Sequence, residues 1–219
     1  MSLIRTPDGF YRSPLLEAES WLHHAFGAAG AVPINGCLTL RQVHSARVVA
    51  AREWSETLEA DGLVTARPGE RIAVKTADCV PILIADPVRR AVAAVHAGWR
   101  GTLAGVAAAA VEALRRYHGS DPQDLLAAFG PSIGPCCFEV GGEVSALFRF
   151  IFPERNGLGS KTHLDLREAN LRILIAQGVS AGRVSPHAPC TCCGGAEFYS
   201  WRRDRRQGER MFSEIGVRE

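Results

Sequence analysis

A cysteine and a histidine bracket one short stretch of this chain. Asp78-Cys79-Val-Pro-Ile-Leu-Ile-Ala-Asp86 and Ala91-Val-Ala-Ala-Val-His96 carry apolar, β-branched runs on either side of the turn signal Asp86-Pro87, and together they read as a β-hairpin. A turn centred between Pro87 and Val88 makes Cys79 and His96 cross-strand partners, about 5 Å apart at the backbone. A thiolate facing an imidazole suits two chemistries. The pair can share a metal ion: zinc favours Cys sulfur and His nitrogen, and a catalytic zinc takes three protein ligands and keeps one position open. Alternatively, Cys79 serves as a nucleophile with His96 as its base, in a metal-free cysteine hydrolase. The metal reading needs a third donor. His44, in Arg41-Gln-Val-His-Ser45 between two strand-like runs, is the candidate.

Other residues near this pair invite a role. Asp78, beside Cys79, is placed for proton transfer, for orienting a ligand, or simply for capping the strand. Gly98-Trp-Arg-Gly-Thr102 sets free backbone N–H groups and Arg100 at the start of an expected helix, where phosphate or carboxylate binds readily and where an ordinary turn fits equally. Gly130-Pro-Ser-Ile-Gly134 reads either as a set of backbone donors for an anion or as a rigid turn. His187, Cys190, Cys192 and Cys193 suggest a second metal, but Cys-x-Cys-Cys lacks the paired Cys-x-x-Cys knuckles of structural zinc sites. Thiols lining a pocket or core are the preferred reading there.

These residues need a frame to hold them. The pattern predicts a helix over 14–27 and strands over Cys37–Gln42, Ala46–Ala50, 61–65 and 71–75, the last two flanking the turn Arg67-Pro-Gly69. A long helix from Thr102 to about His118 follows, with Leu103, Val106, Ala110, Val111 and Leu114 at helical spacing. A buried strand over 125–129, helices near 142–150 and 165–177, a strand near 183–187 and a last strand at Phe198–Trp201 complete the expected order. Helices mixed with recurring antiparallel hairpins predict an α/β fold with mixed β-sheets flanked by helices, in one domain spanning all 219 residues.

Composition narrows the function classes. A net charge of +2 gives no argument for a polyanionic partner, and the basic group Arg202, Arg203, Arg205 and Arg206 is interrupted by Asp204. Neither nucleic acid nor membrane is therefore expected as a partner, since no run of apolar residues reaches the length of a membrane span. The opening Met-Ser-Leu-Ile-Arg has no apolar signal core, so the seven cysteines are expected as reduced thiols in the cytoplasm. Adjacent Cys136-Cys137 and Cys192-Cys193 could form disulfides only through strained geometry, which agrees with that reading.

Six segments then occur in a familiar order: Gln42-Val-His44, Ala60-Asp-Gly62, Lys75-Thr-Ala-Asp-Cys79-Val-Pro81, His96-Ala-Gly-Trp-Arg-Gly101, Gly130-Pro-Ser-Ile-Gly-Pro-Cys-Cys-Phe-Glu-Val140 and Phe198-Tyr-Ser-Trp-Arg-Arg-Asp204. Over roughly residues 35–210 they closely resemble the polyphenol oxidoreductase (laccase-domain) family of purine nucleoside phosphorylase type. The resemblance implies one zinc held by His44, Cys79 and His96, and a fold related to proteins proposed as cysteine hydrolases. It implies phosphorolysis of adenosine, inosine, guanosine and 5′-methylthioadenosine, and deamination of adenosine, with small nucleosides and phosphate as partners. Under it, water activated by zinc attacks the purine C6 in deamination, with Asp78 and Cys79 at the catalytic centre. Arg41, Lys75 and Arg100 hold phosphate in the other reaction. The family's older name suggests a multicopper oxidase, but such sites use many histidines, often as His-x-His, and none of the seven here makes that pattern.

Overall fold

Every residue of Val80–Asp86 and Ala91–Ala97 is buried, so this hairpin needs apolar cover on both faces. The computed structural model, which describes residues 2–31 and 36–219, supplies that cover as three layers. Strands β7 (Val80–Asp86) and β8 (Ala91–Ala97) lie at the centre of a six-stranded sheet with β4 (Val48–Ala50), β5 (Gly62–Thr65), β9 (Leu126–Phe129) and β12 (Val184–Ser185), in the order β12-β9-β7-β8-β5-β4. The outer pairs β4–β5 and β9–β12 are parallel and the inner pairs antiparallel, so the sheet is mixed. A five-stranded antiparallel sheet runs β1 (Ile4–Arg5), β2 (Phe10–Arg12), β3 (Leu22–Gly27), β13 (Met211–Val217), β6 (Arg71–Thr76). A small pair joins β10 (Glu139–Val140) to β11 (Thr162–His163).

Strand alternation assigns the two faces. Ile82, Ile84, Ala93 and Val95 pack with Ala110 and Leu114 of α3 (Val106–His118) and Leu174 of α5 (Leu166–Ala176). Their neighbours Leu83, Ala85, Val92 and Ala94 pack with Phe26, Ile72 and Ile215 of the five-stranded sheet. A continuous apolar run in the sequence is the trace of this double cover. The remaining helices are short: α1 (Pro14–Glu17), α2 (Trp99–Leu103), α4 (Gly142–Leu147) and α6 (Trp201–Asp204). Among the described residues no helix is long and apolar enough to cross a membrane.

Several sequence expectations need correction. The helix over 14–27 stops at Glu17, and residues 22–27 form β3, whose five-residue pairing with β13 overrides weak local propensity. The long helix is two, α2 and α3, split at Gly105, whose φ of 83° no ordinary helix residue adopts. Residues 37–42 make only isolated bridges, Leu38 to Ile72 and Arg41 to Glu59. The segments at 61–65 and 71–75 are strands, yet they lie in different sheets. Trp201–Asp204 is helical, capped by Ser200 Oγ accepting from the Arg203 N–H at 3.2 Å. The last strand is β13 instead. Its pattern is disguised by buried Glu214, which is balanced by His23 at 2.7 Å on the neighbouring strand.

Candidate metal centre

The site is built outward from one buried carboxylate. Gly62 of β5 faces Val95 of β8, so one step further Asp61 faces His96, and the His96 N–H donates to the Asp61 carbonyl at 2.7 Å. The same two side chains meet at His96 Nδ1 and Asp61 Oδ1, 2.8 Å apart. Asp61 is an acceptor, so Nδ1 carries a proton in either charge state, and Nε2 is the nitrogen left to give its lone pair to a metal once it is deprotonated. The carboxylate also accepts the N–H groups of Val43 (3.3 Å), His44 (3.0 Å) and Ser45 (2.6 Å) and the Ser45 hydroxyl (2.7 Å). Burial pushes the Asp61 pKa up, but the hydrogen bonds from His96 and Ser45 prevail and hold it at about 2. Three successive backbone donors wrapped on one carboxylate fold the loop that carries His44 and hold that residue at φ 61°, a left-handed conformation a side chain tolerates poorly. Asp61 thus sets both imidazoles.

Cys79 arrives by a different register from the one expected. Asp86 faces Ala91 across a four-residue loop, because the Asp86 carboxylate accepts the N–H groups of Val88 (2.8 Å) and Arg89 (3.0 Å) and draws residues 87–90 into the turn. His96 therefore faces Pro81, and the chain before β7 brings Cys79 opposite Gly98. A slip of this size preserves side-chain parity, so Cys79 and His96 stay on one face as diagonal neighbours. Gly98 keeps the space between Cys79 and His44 clear: a β-carbon there would lie 2.8 Å from His44 Cδ2 and 2.9 Å from Cys79 Sγ.

The result is a compact donor set. Cys79 Sγ lies 3.8 Å from His44 Nε2, the rings of His44 and His96 cross at 74° with centroids 4.8 Å apart, and one donor atom from each of the three residues lies within 4.8 Å of the others. Tetrahedral zinc, with bonds of about 2.0–2.1 Å to nitrogen and 2.3 Å to sulfur, sets a nitrogen–sulfur edge of about 3.6 Å, so the spacing fits. Burial pushes the Cys79 thiol up, but cationic His96 and the hydrogen bond with His44 carry it down to about 6. Burial lowers His96, while Cys79 and Asp61 together raise it to about 9. Without metal the pair favours thiolate and imidazolium. His96 is buried, Cys79 half-buried and His44 exposed, so the site opens towards solvent on the His44 side.

The other expected residues are placed as follows. Asp78 takes φ 85°, and its carboxylate accepts from the Thr191 hydroxyl and from the Arg202 N–H, each at 2.6 Å, which engages both oxygens. Lys75 is tied through its backbone to Gln42, two residues from His44, by bonds of 2.8 and 2.7 Å. Arg41 pairs with Glu59 at 3.2 Å, and Arg100 stacks over the Trp99 ring at 4.2 Å. Each guanidinium is thus engaged with its own local partner. The helix after His96 begins at Trp99, not Thr102, and α2 is too short for a strong dipole. In the Gly130–Gly134 turn every N–H is taken: Gly130 by the Pro81 carbonyl, Ser132 by Pro189, Ile133 by Asp78 and Gly134 by Cys190 Sγ. Arg202 and Arg203 direct their guanidinia to the carbonyls of Cys137, Glu139, Thr191 and Cys192. Sequence reasoning missed the roles of Asp61 and Gly98, although both lie inside motifs it quoted. An aspartate just ahead of a short apolar strand was the available signal, but its partner strand was not.

A second thiol group differs from the one expected. Cys136 and Cys137, from the turn after Gly134, join Cys190 and Cys193, while His187 and Cys192 stand outside the set. All seven cysteines are free thiols.

Residues 21–218 match the family described as multi-copper polyphenol oxidoreductase laccase. The chain belongs to this family. A purine nucleoside phosphorylase of Deinococcus radiodurans is 39% identical to it over 212 residues, covering 93% of this chain and 78% of that one. Adenosine deaminase RL5, from an unknown prokaryotic organism, is 38% identical over 200 residues, covering 84% and 76%. The crystal structure of YlmD from Geobacillus stearothermophilus superposes with a TM-score of 0.85 at 28% identity, covering 99% of both chains. The mixed sheets flanked by helices are therefore the architecture of this laccase-like family. The family's description speaks of copper, whereas the described residues of this chain assemble one group of two histidines and a cysteine and one group of four cysteines.

Proposed function

We propose that this chain is a zinc-dependent enzyme acting on purine nucleosides, by phosphorolysis of adenosine, inosine, guanosine and 5′-methylthioadenosine and by deamination of adenosine. The observation that carries the reading is the convergence of His44, Cys79 and His96, with Asp61 fixing the His96 tautomer. The names of the relatives supply the substrate class. When bound, zinc supplies a Lewis acid and lowers the pKa of a water in its open position to about 7.

The chain's own residues do the rest. Cys79 contributes the thiolate that offsets part of the ion's charge. Asp61 presents His96 Nε2 and shapes the His44 loop, so that both nitrogens are fixed before metal arrives. Asp78 positions Cys79 by tethering the chain beside it to Thr191 and Arg202. The exposed side of His44 leaves the approach for a nucleoside. Arg41, Lys75 and Arg100 are assigned to phosphate, which requires the Arg41–Glu59 pair to open when the anion binds.

The test is direct. Protein purified without added metal is assayed for zinc, then supplied with adenosine in phosphate, following adenine, ribose 1-phosphate and ammonia. Loss of all three products on chelation, and recovery with zinc, is expected; activity that survives complete metal removal would overturn the reading. A second reading draws on the same geometry: Cys79 as nucleophile, His96 as base and Asp61 as its orienting carboxylate, in a metal-free cysteine hydrolase. That enzyme keeps its hydrolytic activity in chelator and loses it to thiol alkylation.

A further inference from the structure

We propose that Cys136, Cys137, Cys190 and Cys193 form a second, closed metal site that holds one thiophilic divalent ion as a structural clip. This site is independent of the catalytic reading. The four sulfurs all lie within 4.8 Å of one another, and those of Cys136 and Cys193 are 3.7 Å apart. A tetrahedron with metal–sulfur bonds of about 2.3 Å has edges of about 3.8 Å. A disulfide between the same two sulfurs would instead need about 2.05 Å. The spacing admits an ion at the centre of the four sulfurs.

The local backbone agrees. Cys190-Thr-Cys-Cys193 contains a Cys-x-x-Cys turn, with Cys192 as the thiol left out of it. Cys190 Sγ accepts the Gly134 N–H at 3.2 Å, the kind of outer hydrogen bond that orients a metal-bound thiolate. On binding, each of the four thiols releases a proton, so the clip carries a net charge of −2 with a divalent ion. Cations stand nearby: Arg167 Nη2 lies 2.8 Å from where a β-carbon on Gly134 would sit, and Arg203 holds the Thr191 and Cys192 carbonyls. Four sulfurs leave no position open, which separates this site from one that does chemistry.

Its place in the fold explains what a clip would do. The turn at 130–137 and the segment at 189–194 meet at an isolated bridge, Ser132 to Cys190, with bonds of 3.2 and 3.1 Å from Ser132 to Pro189 and from Thr191 to Ser132, and at the bond from the Gly134 N–H to Cys190 Sγ. Both segments then hold Asp78, one through the Ile133 N–H at 2.9 Å and the other through the Thr191 hydroxyl at 2.6 Å. An ion joining them closes a long loop and stiffens the seat of Cys79 without touching it.

Metal analysis of the full chain, purified without chelator, should give two ions per chain. Cys79→Ala should keep one, and X-ray absorption of that variant should show about four sulfurs at about 2.3 Å. Zinc and iron would each satisfy the proposal, and elemental analysis tells them apart. The exposed pair Cys136→Ser with Cys193→Ser should lose one ion and melt at a lower temperature, while its remaining ion shows mixed nitrogen and sulfur ligands. Should Cys79→Ala not fold, His44→Ala serves the same purpose. One ion per chain that disappears in Cys79→Ala or His44→Ala overturns the clip, as does a retained ion with fewer than three sulfurs. Two ions with no turnover would leave the clip standing and remove the catalytic reading.

Discussion

Two groups of soft ligands lie on either side of Asp78, and they are built to opposite plans. The first, His44, Cys79 and His96, mixes nitrogen with sulfur, rests on the paired ends of β5, β7 and β8, and has the buried Asp61 carboxylate behind it. Two residues there, His44 and Asp78, are held at positive φ. The second is all sulfur, hangs on irregular segments, and exposes Cys136 and Cys193. The contrast teaches that ligand affinity alone does not define a working site. Three fixed donors with an open side suit chemistry, and four sulfurs that close on themselves suit structure. Strain and a buried charge are found where a reactive geometry must be maintained, consistent with their usual cost of about 1–3 kcal/mol per strained residue.

The sharpest way to break the comparison is Cys79→Ala. Removing the only thiolate of the first group should abolish turnover and its metal together, while the four-cysteine group keeps its own thiols unchanged; normal phosphorolysis in this variant would undo the assignment. Arg100→Ala comes next. Loss of a charge-assisted hydrogen bond of about 1.5–3 kcal/mol predicts a roughly 10- to 150-fold fall in phosphate-dependent turnover, with deamination of adenosine less affected. Equal losses in the two reactions, measured on one preparation, would move the phosphate away from Arg100. Asp61→Asn removes the charge that five donors share, and a fall of about 10- to 100-fold in zinc affinity at the first group is expected by titration against a chelator, with none at the second.

The smallest effect separates the two groups by pH in metal-free protein. Cys79, brought down to about 6 by His96 and His44 against the effect of burial, is thiolate above that pH. Cys136 is pushed up to about 11 by burial and by hydrogen bonds with Cys190 and Cys193, so it stays protonated until strongly alkaline pH. Alkylation at Cys79 should level off above about pH 6 and fall about tenfold per unit below it, whereas alkylation at Cys136 should keep rising. Because a low-pKa thiolate is also a weaker nucleophile, the advantage of Cys79 at pH 7 is expected to be about 30- to 100-fold, well below the ratio of thiolate fractions. Peptide mass mapping over pH 5–9 reads both sites; a Cys136 that reacts first at pH 7 would reverse the order.

Much of this frame is legible in the amino-acid sequence. The doubly buried hairpin, the strands at 61–65, 71–75 and 125–129 and the helices near 142–150 and 165–177 follow from apolar runs bounded by turn residues, and all appear. The expected helix over 14–27 failed because β3 is stabilised by β13, a partner nearly two hundred residues away that no local window contains. β13 itself escaped notice because Glu214 interrupts its apolar pattern, and the apposed His23, 2.7 Å away, helps to make that burial tolerable.

For the site, sequence determined which residue types were available and, through the period of two along a strand, that Cys79 and His96 share a face. That survived a shifted hairpin register because the shift was an even one. What the tertiary structure alone decided was proximity between segments far apart in the chain. Asp61 meets His96 because β5 is paired with β8, His44 is brought beside Cys79 because Asp61 gathers three backbone N–H groups, and Cys136 meets Cys193 because two turns converge at Ser132. Periodicity is a local property of the backbone and can be read from residue order. The choice of partner depends on which buried surfaces and charges are satisfied together, and only the folded chain settles that.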